Sequence, residues 1–350
     1  MPDTVEPARR RWVFKGWLES FQRVLHHHAS LGPLLVLILS VVVFELLNHA
    51  FLGLEDISLM LQQLAVLGCL AVGQTIIMLT AGIDLSIGAV MILAQMIMGE
   101  LAINLGVPIV LALVIGVAFG ALMGLLNGAL VARVRLPPFI VTLGTLGIFT
   151  ALGLSMSGGA TLFFHSNTAL AGTALGATSG NVLLWTGTVI SIGQFNITTG
   201  VFIMIGLYLL FAYILAWTEW GRHVYAVGDN VEASRLAGIR VRTVITSVYI
   251  VAGVIYGLAA WVQIGRVASV SPDISSTLNL DSITAVVIGG TSMFGGRGVM
   301  MGTLFGALIV QVFNTGLEIV GVNALYLPLA EGILVILAVT LDHWIRSVKS

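Results

Sequence analysis

Charge is what this sequence has least of. Aspartate, glutamate, lysine and arginine together make up 9% of its 350 residues, whereas ordinary globular domains carry about a quarter. Lysine is scarcer still, with Lys15 and Lys349 the only two. Neither follows a glycine-rich run, so there is no G-x-x-x-x-G-K-[ST] phosphate loop and the chain is not by itself a P-loop ATPase. The single cysteine, Cys69, excludes an intramolecular disulfide and reads as a small buried hydrophobe within an apolar run. A net charge of -1 gives no reason to expect nucleic acid as a partner.

What is present instead is apolar sequence, 58% of the chain. No soluble core needs that much. Runs of about 20 apolar residues recur along the whole length, the pattern of an all-α polytopic membrane protein embedded in a lipid bilayer. Candidate spans fall at 31–50, 59–79, 86–104, 107–132, 138–157, 200–219, 243–264, 280–293, 299–320 and 322–341. The eighth, "LDSITAVVIGGTSMF", is short and polar, and a re-entrant segment is the alternative to a crossing. Lys and Arg in short loops prefer the cytoplasm, which arbitrates. Ten crossings with both termini cytoplasmic leave fourteen basic residues inside and Arg266 alone outside, while a re-entrant eighth segment gives eleven against four. About ten transmembrane helices are therefore expected, with a single transmembrane domain over 31–345, including a cytoplasmic loop at 220–242, and cytoplasmic tails at 1–30 and 346–350.

The first thirty residues lack a short apolar core with a small-residue cleavage site, so they do not read as a secretory signal. Trp12, Val13, Trp17, Phe21, Val24 and Leu25 share one helical side opposite Arg10, Lys15 and Arg23, as in a helix lying along a membrane surface. His26, His27 and His28 are adjacent and diverge around a helix, which does not suit convergent metal ligands.

Glycine, at 41 residues, is the other outlier. Gly116, Gly120, Gly124 and Gly128 recur every fourth position and form a smooth stripe, so the fourth span is expected to pack inside the bundle. Asn127 beside it is expected to bond a neighbouring helix.

The stretch "GRHVYAVGDNVEASRLAGIRVR", 221–242, is polar between two apolar spans. Asp229 stands three residues before Glu232, the spacing of a capping box, and Gly238 suits the left-handed residue that ends a helix. About two helical turns are expected there, with Val231, Leu236 and Ile239 as an apolar side. So short a helix is marginal alone. It is either a well-capped surface loop or a docking element for a cytoplasmic partner.

In "TAGIDLSIG", Asp84 and Ser86 interrupt apolar sequence between the second and third spans. Asp84 is placed to cap the third helix, and a break of this kind also often marks the route of a polar solute, so that both roles can hold together. Gln74 and Thr75 would extend the lining. Arg266 would pair with a docked partner, or with Asp273 or Asp281 nearby.

"EASRLAG" resembles the EAA-and-glycine motif of bacterial ABC importer permeases, with Ser234 replacing the second alanine and no later Leu-Pro after Ile239. "TAGIDLSIGAVM", "LPPFIVTLGTLGI", "GRHVYAVGDNVEASRLAGI" and "NLDSITAVVIGGTSMFGGRG" are similar to blocks of the ribose, xylose and fructose type permeases. The resemblance implies a type II ABC importer-like, homodimeric permease in a bacterial inner membrane. It would work with a cytoplasmic ATP-binding subunit, which holds ATP and Mg, and a periplasmic sugar-binding protein; no cofactor is expected in this chain. It also implies coupling through Gly221, Arg222, Asp229, Asn230, Glu232, Ala233, Arg235, Leu236 and Gly238. The pathway would be lined by Gln74, Thr75, Asp84, Ser86, Asn127, Thr142, Asn279 and Asp281, and Arg266 would meet the binding protein. Branched-chain amino acid permeases share the broader fold and are the alternative substrate class. An ion-gradient transporter needs ionisable groups deep in the bundle, whereas Glu45, Glu100, Glu318 and Glu331 fall toward the outer ends of their spans. No metal-ligand cluster or nucleophile and base pair suggests an embedded enzyme.

Overall fold

A computed structural model describes residues 31–164, 182–272 and 277–323, with 326, 329–330, 332–333, 336 and 340. The N-terminal tail with its three histidines, Asp273, Glu331, most of the tenth apolar segment and residues 346–350 lie outside the described residues. Within them, helices occupy the other nine expected places: α1 (Leu31–Leu47), α2 (Leu54–Leu79), α3 (Ile87–Gly99), α4 (Ile109–Ala129), α5 (Pro138–Ser157), α7 (Thr199–Trp217), α10 (Val241–Val267), α11 (Thr277–Ile288) and α12 (Met300–Ile319). A single turn, α6 (Val182–Trp185), precedes α7, and two short helices, α8 (Glu219–Asp229) and α9 (Val231–Leu236), follow it. Among the described residues seven helices are long and apolar enough to cross a bilayer, α3 being counted with the π-helical turn Glu100–Asn104 that continues it; α1 and α11 are shorter.

At about 1.5 Å per residue, the 12 residues of α11 cover about 18 Å, short of a hydrocarbon core of about 30 Å. The chain around it nevertheless travels from one end of α3 to the other. Gln95 Nε2, far along α3, donates to the Ser271 carbonyl at 2.6 Å, and a Cβ on Gly99 would lie 2.9 Å from Val270. At the opposite end the Gly296 N–H donates to the Leu79 carbonyl at 3.0 Å, where α2 turns toward α3.

The core is α2, with α3 beside it. Every residue from Leu64 to Leu79 is buried, Cys69 included. α10 packs on both α2 and α4. A Cβ on Gly120 would collide with the Gly253 carbonyl, one on Gly124 with that of Tyr249, and one on Gly257 would sit 2.8 Å from Val117 Cα. The glycine stripe thus lets two backbones touch. Burial on α4 is confined to that stripe with Ile109, Ala112 and Asn127, however: Leu111, Val114, Leu122 and Leu126 on its other faces are exposed. The expectation that the fourth span lies inside the bundle is corrected to a helix at the edge with one buried face, because lipid rewards apolar side chains outside as readily as protein does inside. A second glycine seam joins α11 to α12, where a Cβ on Gly306 would meet the Ala285 carbonyl. α1 is held on α12 by Phe44, whose ring meets Phe313 edge to face at 5.5 Å.

The fold is not purely helical. β1 (Leu162–Phe163) pairs antiparallel with β4 (Ser269–Val270), and β2 (Val189–Ile192) with β3 (Phe195–Thr198). β1 and β4 follow α5 and α10, which end on left-handed residues, Gly158 at φ 60° and Ala268 at φ 52°. The runs "VISI" and "FNIT" are rich in β-branched residues and flank a turn at Gly193, φ 66°.

Candidate functional site

Two places gather the residues singled out in the sequence. The first is the connection from α2 to α3. Helix α2 stops where Ala81 turns left-handed at φ 59°. Asp84 Oδ1 then accepts the Ser86 N–H at 2.7 Å and the Ser86 hydroxyl at 2.6 Å. This corrects the expected cap. Ser86 is itself the N-cap residue of α3, and Asp84 closes a turn onto it two residues on, without reaching the first-turn N–H groups. The first-turn donor at Gly88 is satisfied by Asn279 Oδ1 of α11, at 2.7 Å across 191 positions of sequence.

Two further helices close on the same connection. Asn127 Nδ2 of α4 donates to Ser86 Oγ at 2.9 Å, so this residue does bond a neighbour. Thr142 of α5 donates to the Ile83 carbonyl at 3.2 Å and to its own helix at Pro138, 3.0 Å. Asp84, Ser86, Asn127 and Thr142, all buried, therefore form one polar set with the half-buried Asn279. Burial pushes the Asp84 carboxyl up to about 6, against the two Ser86 hydrogen bonds that pull it down. Asp281 is buried one turn-half further along α11. Thr75 is not in this set, because its hydroxyl bonds the Ala71 carbonyl at 2.7 Å and Thr303 of α12 at 2.8 Å. It belongs to helix packing.

The residues the sequence reading missed are tyrosines. Tyr249 and Tyr256 of α10 stand two turns apart on one face and within electrostatic reach of Asp84. A Cβ on Gly82 would be 3.2 Å from the Tyr249 hydroxyl, and one on Gly73 would strike the Tyr256 ring. Among the described residues neither hydroxyl has a hydrogen-bond partner, nor does that of Tyr208 on α7; Gln74, fully buried on α2, has none for either its oxygen or its nitrogen. A buried polar atom without a partner costs about 1–3 kcal/mol. Tyr249 and Tyr256 bring two such hydroxyls toward the Asp84 turn, while Tyr208 lies farther along α2, against Gly68. A seven-residue tyrosine spacing in an otherwise apolar helix was the available sequence signal.

The second place is the 220–242 loop. α8 begins with Thr218, whose hydroxyl accepts the Gly221 N–H at 3.1 Å. A Cβ on Gly221 would lie 2.5 Å from the Leu215 carbonyl, which is why the α7–α8 corner needs glycine there. α9 forms as expected, ending at Gly238 with φ 84°. Its cap differs: Asn230 Oδ1 accepts the Ala233 N–H at 2.9 Å, whereas Asp229 is the last residue of α8. Asparagine and aspartate cap about equally well, and the extended backbone at residue 230 decides between them. The buried side of α9 is Ser234, while Val231, Glu232, Ala233, Arg235 and Leu236 face outward, as does Arg222 of α8. Of the expected apolar side, only Ile239 packs on the core. Glu232 and Arg235 pair at 3.1 Å in the open. Arg266, at the far end of α10, is exposed, donates to Gln263 at 3.3 Å and makes no ion pair among the described residues.

Residues 56–339 match the family described as the permease component of the branched-chain amino acid transport system. The chain belongs to that permease family. Several relatives match nearly end to end. It is 44% identical to the fructose import permease protein of Rhizobium meliloti over 337 residues, 96% of this chain and 91% of that one. Identity to the ribose import permease protein of Bacillus subtilis is 35%, covering 93% of this chain and 97% of the relative. Identity to the galactose/methyl galactoside import permease protein of Escherichia coli is 30%, covering 88% and 91%. No solved structure matches the chain. Family and apolar helices together make this a multi-pass membrane protein.

Proposed function

We propose that this permease is the membrane-spanning subunit of an ATP-driven importer for a monosaccharide in a bacterial inner membrane. The observation that carries the reading is α9, a locally capped helix between two spans that keeps its apolar Leu236 outward on a chain with no phosphate loop of its own. Such an element suits an ATP-binding subunit that performs the hydrolysis, with ATP and Mg bound there. The charge distribution, and the passage of the chain from Ser271 to Gly296 along α3, support ten crossings with both termini cytoplasmic. The unpartnered Tyr249 and Tyr256 hydroxyls on the side of Asp84 suit an uncharged polyol. A branched-chain amino acid carries two opposite charges, and among the described residues the polar set around Asp84 offers a carboxylate but no cationic side chain to pair with a substrate carboxylate. A second copy of the chain and a periplasmic sugar-binding protein, met in part by Arg266, complete the proposed assembly.

The test is uptake into proteoliposomes holding the permease and its ATP-binding subunit, with the binding protein outside. Labelled ribose, xylose or fructose should accumulate only with internal ATP. Accumulation of leucine in their place, or uptake driven by a pH gradient without ATP, would overturn the reading.

A further inference from the structure

The two most exposed large apolar side chains among the described residues are Phe294, at 88%, and Leu236, at 85%. Neither lies on a long apolar helix, where lipid would account for it. Leu236 is on α9; Phe294 tips the connection between α11 and α12, residues 289–299.

That connection is tightly built. Ser292 N–H bonds the Arg297 carbonyl at 2.8 Å, Gly295 N–H the Ser292 carbonyl at 3.1 Å, and Phe294 N–H the Ser292 hydroxyl at 3.2 Å. Gly295 and Gly296 are left-handed, at φ 83° and 71°. They are also wedged: a Cβ on Gly295 would be 2.7 Å from the Gly228 carbonyl, and one on Gly296 2.8 Å from Asp229 Cα. The Tyr225 hydroxyl of α8 donates to the Gly298 carbonyl at 2.8 Å. Phe294 is therefore held out from a base fused to the end of α8, directly before the cap of α9. A rigid aromatic group presented this way loses little freedom on binding, as interface anchors do.

We propose that the 289–299 connection is a second docking element for the ATP-binding subunit, with Phe294 as its anchor beside α9. This rests on the reading of α9 as the first such element. Continuity commits the occupant, because Gly295 and Gly296 touch Gly228 and Asp229 with no space for another component between the two elements. Arg297 of the connection is exposed too, as is Arg240 just beyond α9. The same connection bonds the last carbonyl of α2 through Gly296 N–H, so a push on Phe294 reaches the Asp84 turn through main-chain contacts alone.

Cys69 is buried, so single introduced cysteines report their own exposure. Phe294→Cys and Leu236→Cys would be reacted with a membrane-impermeant maleimide in inside-out vesicles, with and without the ATP-binding subunit. Both should react readily in the permease alone, and both should slow by about tenfold or more once the subunit is bound, as an anchor does when an interface covers it. Protection of Leu236→Cys without Phe294→Cys would overturn the proposal and leave α9 as the docking element. Protection of neither in an assembled complex would overturn both readings. Slow reaction of Phe294→Cys before the subunit is added, with Leu236→Cys fast, would assign Phe294 to the bilayer or a second copy and overturn the proposal.

Discussion

Replacing Asp84 by asparagine separates what its shape does from what its charge does. An asparagine oxygen can still accept both Ser86 hydrogen bonds, so the α2–α3 turn should form. The carboxyl is raised from 3.8 to about 6, chiefly by burial. A raised carboxyl pKa means that the folded chain holds the proton more tightly than the unfolded one. Stability is therefore highest below the unfolded value and falls as pH rises through the window from about 4 to 6. The full shift corresponds to about 3 kcal/mol, at 1.36 kcal/mol per pH unit. In phospholipid nanodiscs, wild-type Tm should drop by a few degrees between pH 5 and pH 7.5, while Asp84→Asn should be flatter and the more stable at pH 7.5. Asp84→Ala should be less stable at every pH, since it leaves the buried Ser86 N–H and hydroxyl without their acceptor. Asp84→Asn is expected to fold yet transport poorly, placing the charge on the solute route or its gate. An asparagine variant that keeps the wild-type pH slope would refute the electrostatic reasoning, and one that folds and transports normally would refute the route.

Charge reversal at Glu232 or Arg235 should leave insertion and stability unchanged, because an exposed pair contributes at most about 1 kcal/mol, but should lower substrate-stimulated ATP hydrolysis; full coupling in both variants would sink the docking role of α9. Arg266→Glu should weaken binding-protein docking at low salt and much less at 0.5 M salt, where screening shortens the reach of the charge to about 4 Å; lost expression with unchanged docking would assign Arg266 to holding its own loop. Gly120→Val should destabilise the permease strongly, since even a Cβ would collide with the Gly253 carbonyl, whereas Gly144→Ala, with nothing within 4 Å, should be neutral or stabilising by up to about 1 kcal/mol. Equal thermal stability of the two variants would contradict the α4–α10 seam.

Periodicity and composition by themselves determined the helical spans, because lipid demands long unbroken apolar runs and little else does. The sequence likewise determined the two-turn helix at 231–236 and its glycine stop, since helix ends are written in adjacent residues. The absence of a phosphate loop was equally legible. What depends on residues far apart was not. Asn279 caps α3 from 191 positions away, and no local spacing announces it. Thr75 and Gln74 are neighbours in sequence, yet one is spent on Thr303 and the other is left without a partner, because successive helical positions point about 100° apart toward different helices. The glycine stripe of α4 foretold a close contact but not its partner or that the opposite face is exposed in the single chain, since a smooth surface fits any complementary backbone. Only the tertiary structure chose α10, and with it brought Tyr249 and Tyr256 beside Asp84.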